Sequence, residues 1–272
     1  MGGMTRLLLL LLWVGVTVST AVDLQKRIIG GQTCGNGERQ YHVKLIGNDG
    51  THNFLCGGSL ISDQWILTAA HCKQKEITAY LGVHPGLGPG TPGATNKHKT
   101  FKKWKYIFFK EKHDIMLLKL EKTTTIQPVD PPDCSKRPTV GKMVQVAGHG
   151  PTTLGPNGKR VPGESDTLQC VELEIVANSY KNCLDKSDYM KKYGESHFKL
   201  YQSQGKDISL GDSGGGVVYN NMIYGVNAFT RSGTYGCVAP AGFVDVCEYK
   251  EWIEKTAGIK FEPRVAGQPN SG

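Results

Sequence analysis

Apolar residues come in short bursts along this chain: YHVKLI (41–46), WILTAA (65–70), ITAYLGV (77–83), IMLLKL (115–120), MVQVAG (143–148), LQCVELEIV (168–176), VVYNNMIYGV (217–226) and GFVDV (242–246). Several alternate with the two-residue period of a strand, and Gly, Pro, Asn or Asp clusters separate them. The 35 glycines suit many tight turns. The pattern therefore predicts an all-β protein with one exception near the end. Val246, Tyr249, Trp252 and Ile253 share a face at helical spacing, with Gly258 as the stop, which predicts a C-terminal helix over 246–257. Four prolines in TIQPVDPPDCSKRPTVG (125–141) disfavour regular structure and mark a linker between two β units. GHGPTTLGPNGKRVPGESD (148–166) reads as a long polar loop carrying Lys159 and Arg160, and self-cleavage at Arg160 is an expectation from that exposure. The end of the chain, 259–272, has no core pattern and reads as a flexible tail.

The first residues change the picture. Arg6, an apolar run from Leu7 to Val18, and the small residues Ser19 and Ala21 make a signal peptide over 1–21. The run is short for a membrane span, which needs roughly 20 residues, so the expected location is secreted and extracellular, without a membrane span. All eight cysteines (Cys34, Cys56, Cys72, Cys134, Cys170, Cys183, Cys237, Cys247) lie beyond it, and none forms a Cys-x-x-Cys pair. In an exported chain that usage predicts disulfides rather than metal sites, and no metal or cofactor is expected. The formal charge of +8 points to sulfated polysaccharides or acidic surfaces rather than nucleic acid.

Three pieces carry candidate chemistry: His71 in LTAAHC, Asp114 at the head of an apolar strand in HDIMLLKL, and Ser213 in GDSGG. Singly each is ordinary: a packed histidine, a strand-edge charge, a glycine turn. Jointly they answer one need. A serine hydroxyl is a poor nucleophile unless a base lies within hydrogen-bond reach, and the base needs an anion to fix its tautomer and stabilise its charged form. The glycines let the backbone turn so that the amides of Gly211 and Ser213 face a developing oxyanion.

With RIIGG (27–31), CGGSLI (56–61), AAHC (69–72), DIMLLKL (114–120), GDSGG (211–215) and EWI (251–253), the sequence resembles the trypsin-like (chymotrypsin-fold) serine proteases over 28–258. The resemblance implies two packed six-stranded antiparallel β-barrels: one about 28–125, a linker about 126–141, a second about 142–245, then the helix 246–257. It implies His71, Asp114 and Ser213 as the catalytic triad and Gly211 and Ser213 as the oxyanion hole. It also implies a zymogen with propeptide 22–27. Cleavage after Arg27 by an activating protease would free the amine of Ile28 to pair with Asp212 and order the oxyanion loop. The implied disulfides are Cys34–Cys170, Cys56–Cys72 and Cys134–Cys247. Asp207 falls where such proteases keep the acid of the specificity pocket, implying cleavage after Lys, then Arg.

The chain also departs from the family pattern. Ser209 and Gly216 stand where cysteine and proline are usual, and Thr230 and Ala241 replace glycines of the pocket walls, narrowing it. Cys183 and Cys237 each lack the usual partner, and they pair with each other, with another chain, or stay free. His149 replaces a tryptophan and reads as packing. The segment after His71 lacks the paired acids of a calcium loop. Lys97, Lys99, Lys102, Lys103, Lys105, Lys110 and Lys112, with Trp104 and Tyr106 between them, form either a solvated loop or a heparin-like polyanion site over 97–112. The expected function is a secreted, monomeric serine endopeptidase acting on proteins or peptides and open to protein protease inhibitors. The alternative is an inactive homologue that binds polyanions or proteins.

Overall fold

The structure, a computed structural model, describes residues 28–84, 97–98, 106–108, 113–177, 193, 197–230, 232 and 234–263. The expected signal and propeptide segments, Cys183, and the side chains of the lysine-rich stretch lie outside them. Fourteen strands are described: β1 (Gln32–Thr33), β2 (His42–Asn48), β3 (Asn53–Leu60), β4 (Trp65–Thr68), β5 (Glu76–Tyr80), β6 (Lys97–His98), β7 (Tyr106–Phe108), β8 (Met116–Lys119), β9 (Met143–Gly148), β10 (Gln169–Val176), β11 (Phe198–Gln202), β12 (Gly216–Tyr219), β13 (Met222–Phe229) and β14 (Ala241–Asp245). The C-terminal α-helix, α1 (Lys250–Ala257), follows a 3₁₀ turn at Val246–Tyr249.

The strands form two antiparallel sheets. In the second unit the order β10-β11-β14-β13-β12-β9 closes on itself through β9 and β10, giving a six-stranded barrel, and β1 lies against β10 as an extra edge. The first unit is a curved sheet, β6-β5-β2-β3-β4-β8-β7, in which no pairing joins the two edges among the described residues. The fold is mostly β with one C-terminal helix, as the hydrophobic pattern predicts.

Local chemistry explains the elements. The β12–β13 hairpin turns on Asn220 and Asn221, both at positive φ (48° and 62°), with Tyr219 opposite Met222. Two left-handed central residues match the twist of the flanking strands, and asparagine tolerates that conformation. Met116, Leu117 and Leu118 of β8 are fully buried, so their continuous apolar run marks a strand covered on both faces. The 3₁₀ turn is capped by Asp245, whose side chain accepts from the amide of Cys247. Tyr249 and Ile253 face the core, and Gly258 in the left-handed region (φ 68°) ends α1.

Five strands, β1, β3, β6, β7 and β11, have no counterpart among the apolar bursts. In β3 the run is broken by Gly57 and Gly58. A Cβ at Gly57 would stand 3.0 Å from the Gly215 backbone, so the glycine marks a close chain approach rather than a turn. β11 mixes Lys199 and Gln202 with its apolar residues and owes its place to pairing with β10 and β14.

Disulfides Cys34–Cys170, Cys56–Cys72 and Cys134–Cys247 tie β1's end to the second barrel, β3 to the turn after β4, and the inter-unit segment to the C-terminal turn. Cys237 is a free thiol.

Candidate active site

Strands β4 and β8 pair with Thr68 opposite Met116. The chain leaves β4 into the 3₁₀ turn Ala70–Cys72, and it enters β8 through Asp114 and Ile115. That antiparallel register brings His71 and Asp114 to the same end of the sheet, and the bridge from Cys72 to Cys56 pins the turn. Asp114, 1 % exposed, clamps His71 twice. Its Oδ1 accepts from the backbone N–H of His71 at 2.8 Å, and its Oδ2 lies 2.8 Å from Nδ1. An ionised carboxylate only accepts, so Nδ1 is the ring nitrogen placed to donate to it. The ring remains partly open to solvent, at 26 % side-chain exposure.

Ser213 sits on a turn held from three sides. Within the turn, the amide of Asp212 donates to the Ser209 carbonyl and that of Gly215 to the Asp212 carbonyl, both at 3.1 Å. From below, Asn227 of β13 donates through Nδ2 to the Asp212 carbonyl, accepts from Gly214 N–H and donates its own N–H to Gly215. Tyr201 in turn donates to Asn227 Oδ1 at 2.8 Å. From the first unit, Gly57 N–H donates to the Ser213 carbonyl at 2.7 Å, and the Cys72 sulfur lies 3.6 Å from the same oxygen. The Ser213 turn thus docks against β3 and the 3₁₀ turn that presents His71. Asn227 was missed in the sequence. Its signal was a polar residue in the apolar run of β13, buried at 0 % exposure.

Gly211 has φ 103°, a conformation that L side chains rarely adopt, and a Cβ there would meet Leu55 at 2.7 Å. The amides of Gly211 and Ser213 donate to none of the described residues, whereas the intervening Asp212 amide is paired within the turn.

Asp212 is fully buried. Gly150 N–H donates to Oδ1 at 2.8 Å and Ser209 N–H to Oδ2 at 2.7 Å. Burial nonetheless outweighs these donors and pushes its carboxyl up to about 6. Ile28 is also fully buried, in the core of the second barrel with Val146, Ile208 and Ala241. The backbone of Ile29 accepts from Asp207 N–H at 3.0 Å, which ties this segment to Asp207.

The surroundings of Asp207 differ from the simplest expectation. Asp207 is buried and paired with Arg160: Nη2 lies 2.5 Å from Oδ2, and the two side chains are 5 % and 7 % exposed. Cys237 N–H donates to the same oxygen at 3.0 Å. Burial raises the Asp207 carboxyl above its usual range, against the opposing pull of Arg160 and the Cys237 amide. The same burial, with the nearby Asp207 charge, raises the Cys237 thiol. Thr230 is half-buried and donates to the Ser232 carbonyl at 3.2 Å, while Ala241 is 2 % exposed in the barrel core. The loop expected to expose Arg160 instead turns the side chain inward. The two sulfurs near His71, those of Cys56 and Cys72, are joined in a disulfide and so are not thiolate ligands.

His149 packs inside, its Nδ1 2.9 Å from the Ser165 carbonyl and its ring 5.7 Å from that of His42. Burial lowers its pKa to about 4 and holds the His42 ring well below its ordinary value, so both are neutral at pH 7.

A family model described as Trypsin matches residues 28–253. The chain is 35 % identical over 257 residues to a trypsin of Xenopus laevis, covering 91 % of this chain and 97 % of that protein. It is 33 % identical to serine protease 1 of Rattus norvegicus and 31 % identical to trypsin-1 of Salmo salar, each over 92 % of this chain and 97 % of the relative. A matching family model over most of the chain, relatives aligned nearly end to end, and one barrel closed beside a curved sheet agree: this chain belongs to the trypsin family of serine proteases.

Proposed function

We propose that the protein is a secreted serine endopeptidase, made as a zymogen and activated by cleavage after Arg27. The observation that carries the reading is the double clamp of Asp114 on His71, which orients the imidazole at the end of the sheet, where the Ser213 turn docks. In the reaction, Ser213 Oγ bonds to the carbonyl carbon of the scissile peptide while its proton passes to His71 Nε2. The amides of Gly211 and Ser213 hold the oxygen that gains charge. The carbon–nitrogen bond then breaks and His71 returns the proton to the leaving amine. Water, deprotonated by the same imidazole, releases the acyl group by the reverse path. Asp114 stabilises the imidazolium formed at each stage.

Activation follows from the position of the N-terminal segment. Freeing Ile28 creates an α-amine with an ordinary pKa near 8, next to side chains already buried in the second barrel. Asp212 is the buried carboxylate suited to receive it. Asp207 at the pocket base supports a preference for Lys or Arg before the cut bond, and Thr230 supports a narrowed wall. The absence, among the described residues, of any helix long and apolar enough to cross a membrane is compatible with secretion.

The test is stoichiometric labelling by a fluorophosphonate before and after cleavage at Arg27, with Ser213→Ala as control. Label that requires both cleavage and Ser213 supports the reading. Folded, correctly cleaved protein that takes no label overturns it.

A further inference from the structure

We propose that Arg160 determines how this protease reads the residue before the cut bond, by occupying the Asp207 site as an internal competitor for a substrate's Lys or Arg cation. The proposal deepens the protease reading and rests on it.

The guanidinium is seated much as a bound ligand would be. Nη2 meets Asp207 Oδ2 at 2.5 Å, Nη1 donates to the Ile208 carbonyl at 2.7 Å, and Nε donates to the Ser232 carbonyl at 3.0 Å. Nη1 also lies 3.4 Å from Ser209 Oγ, in the position where the family's cysteine is absent. Three anchors thus come from two separate segments, one before the nucleophile turn and one after β13. The Ser232 carbonyl further accepts from Thr230, so the residue that narrows the wall also braces this arrangement.

The backbone holds the arginine in place as well. Arg160 N–H donates to the Thr234 carbonyl at 2.8 Å, and bridges pair Leu154 with Arg160 and Lys159 with Tyr235. The amide of Gly236 donates to Gly158, and a Cβ at Gly236 would press on Leu154 and Ile29. The 154–160 loop is therefore laced to the 232–237 segment along its length. Its one inward arginine neutralises the acid that would otherwise select a basic substrate side chain.

An incoming amidinium or guanidinium must displace Arg160 before it reaches Asp207. Its apparent affinity is reduced by the fraction of time the site stands open. Substrates with uncharged side chains at that position make no such demand. The preference for Lys and Arg is in this sense latent.

Benzamidine, a rigid aryl amidinium, is the probe. Calorimetric titration into cleaved Ser213→Ala protein needs no catalysis, and adding Arg160→Gln removes the charge while retaining a donor. The expected result is binding at least about tenfold tighter with Arg160→Gln than without it, which corresponds to about 1.4 kcal/mol. Equal affinity in the two proteins, or no binding by a folded Arg160→Gln variant, overturns the proposal. A second measurement covers a variant that fails to fold. Phenylglyoxal modification of the unaltered chain, read by peptide mapping, should spare Arg160 and reach it only when saturating benzamidine expels it. Rapid modification of Arg160 without benzamidine overturns the proposal equally. Failure of Ser213 to take a fluorophosphonate would remove the protease reading and leave the benzamidine contrast standing, so the two failures are distinguishable.

Discussion

Cleavage after Arg27 should change how stability depends on pH, and Asp212 sets the size of the change. In the uncleaved chain its carboxyl titrates at about 6, above the ordinary 3.8, because it is buried. Between those values the folded chain keeps a proton that the unfolded chain has released. This group's contribution is therefore fully present below about pH 4 and is lost as pH rises through about 6. A displacement of about two pH units corresponds to about 3 kcal/mol, of which roughly 1–2 kcal/mol returns by pH 5. In the cleaved protein the Ile28 amine supplies a cation, the carboxyl no longer favours its protonated form, and the acid gain disappears. The assay is urea unfolding of Ser213→Ala protein, cleaved and uncleaved, at pH 5 and pH 7.5. Groups such as His149 and Asp49, held down to about 4 and about 2 in the uncleaved chain, lie apart from the new terminus and largely cancel in the difference. The stability advantage of the cleaved form should shrink by roughly 1–2 kcal/mol between pH 7.5 and pH 5. Parallel pH profiles for the two forms would show that the amine does not reach Asp212, and the activation argument would fail.

Two further perturbations probe the turn and the base. Asp114→Asn places an amide against the Nδ1 proton of His71, favouring the wrong tautomer, and should slow fluorophosphonate labelling on the order of 10²–10⁴-fold; a slowing of less than about tenfold would count against the clamp. Gly214→Ala and Gly141→Ala share a positive φ (82° and 85°), but the new Cβ lies 2.2 Å from Thr68 Oγ1 in the first and meets nothing within 4 Å in the second. Thermal unfolding should show a loss larger by about 1–3 kcal/mol at Gly214, the overpacking cost, and equal losses would refute the close approach.

Most of the strands were legible because their signals are local. The alternation in LQCVELEIV becomes β10 with every second residue buried, and the Asn220–Asn221 pair turns the β12–β13 hairpin. β3 was not legible, because its Gly57 answers to Gly215, far along the chain. The C-terminal helix begins later than its periodicity suggests, since Asp245 caps a 3₁₀ turn first.

At the site, the sequence by itself determined which groups are candidates for the chemistry: His71, Asp114 and Ser213 are chemically suited to one another and to little else in that combination. Tertiary structure decided what those groups and their neighbours face. The Thr68–Met116 register set His71 on Asp114, and Asn227 came to brace the Ser213 turn. Arg160, read from composition as an exposed loop residue, was turned onto Asp207 across 47 positions of chain. Periodicity and turn chemistry act over a few residues, so a sequence displays them directly. Which charge is paired depends on distances of a few ångströms between segments remote in sequence, and only packing fixes those.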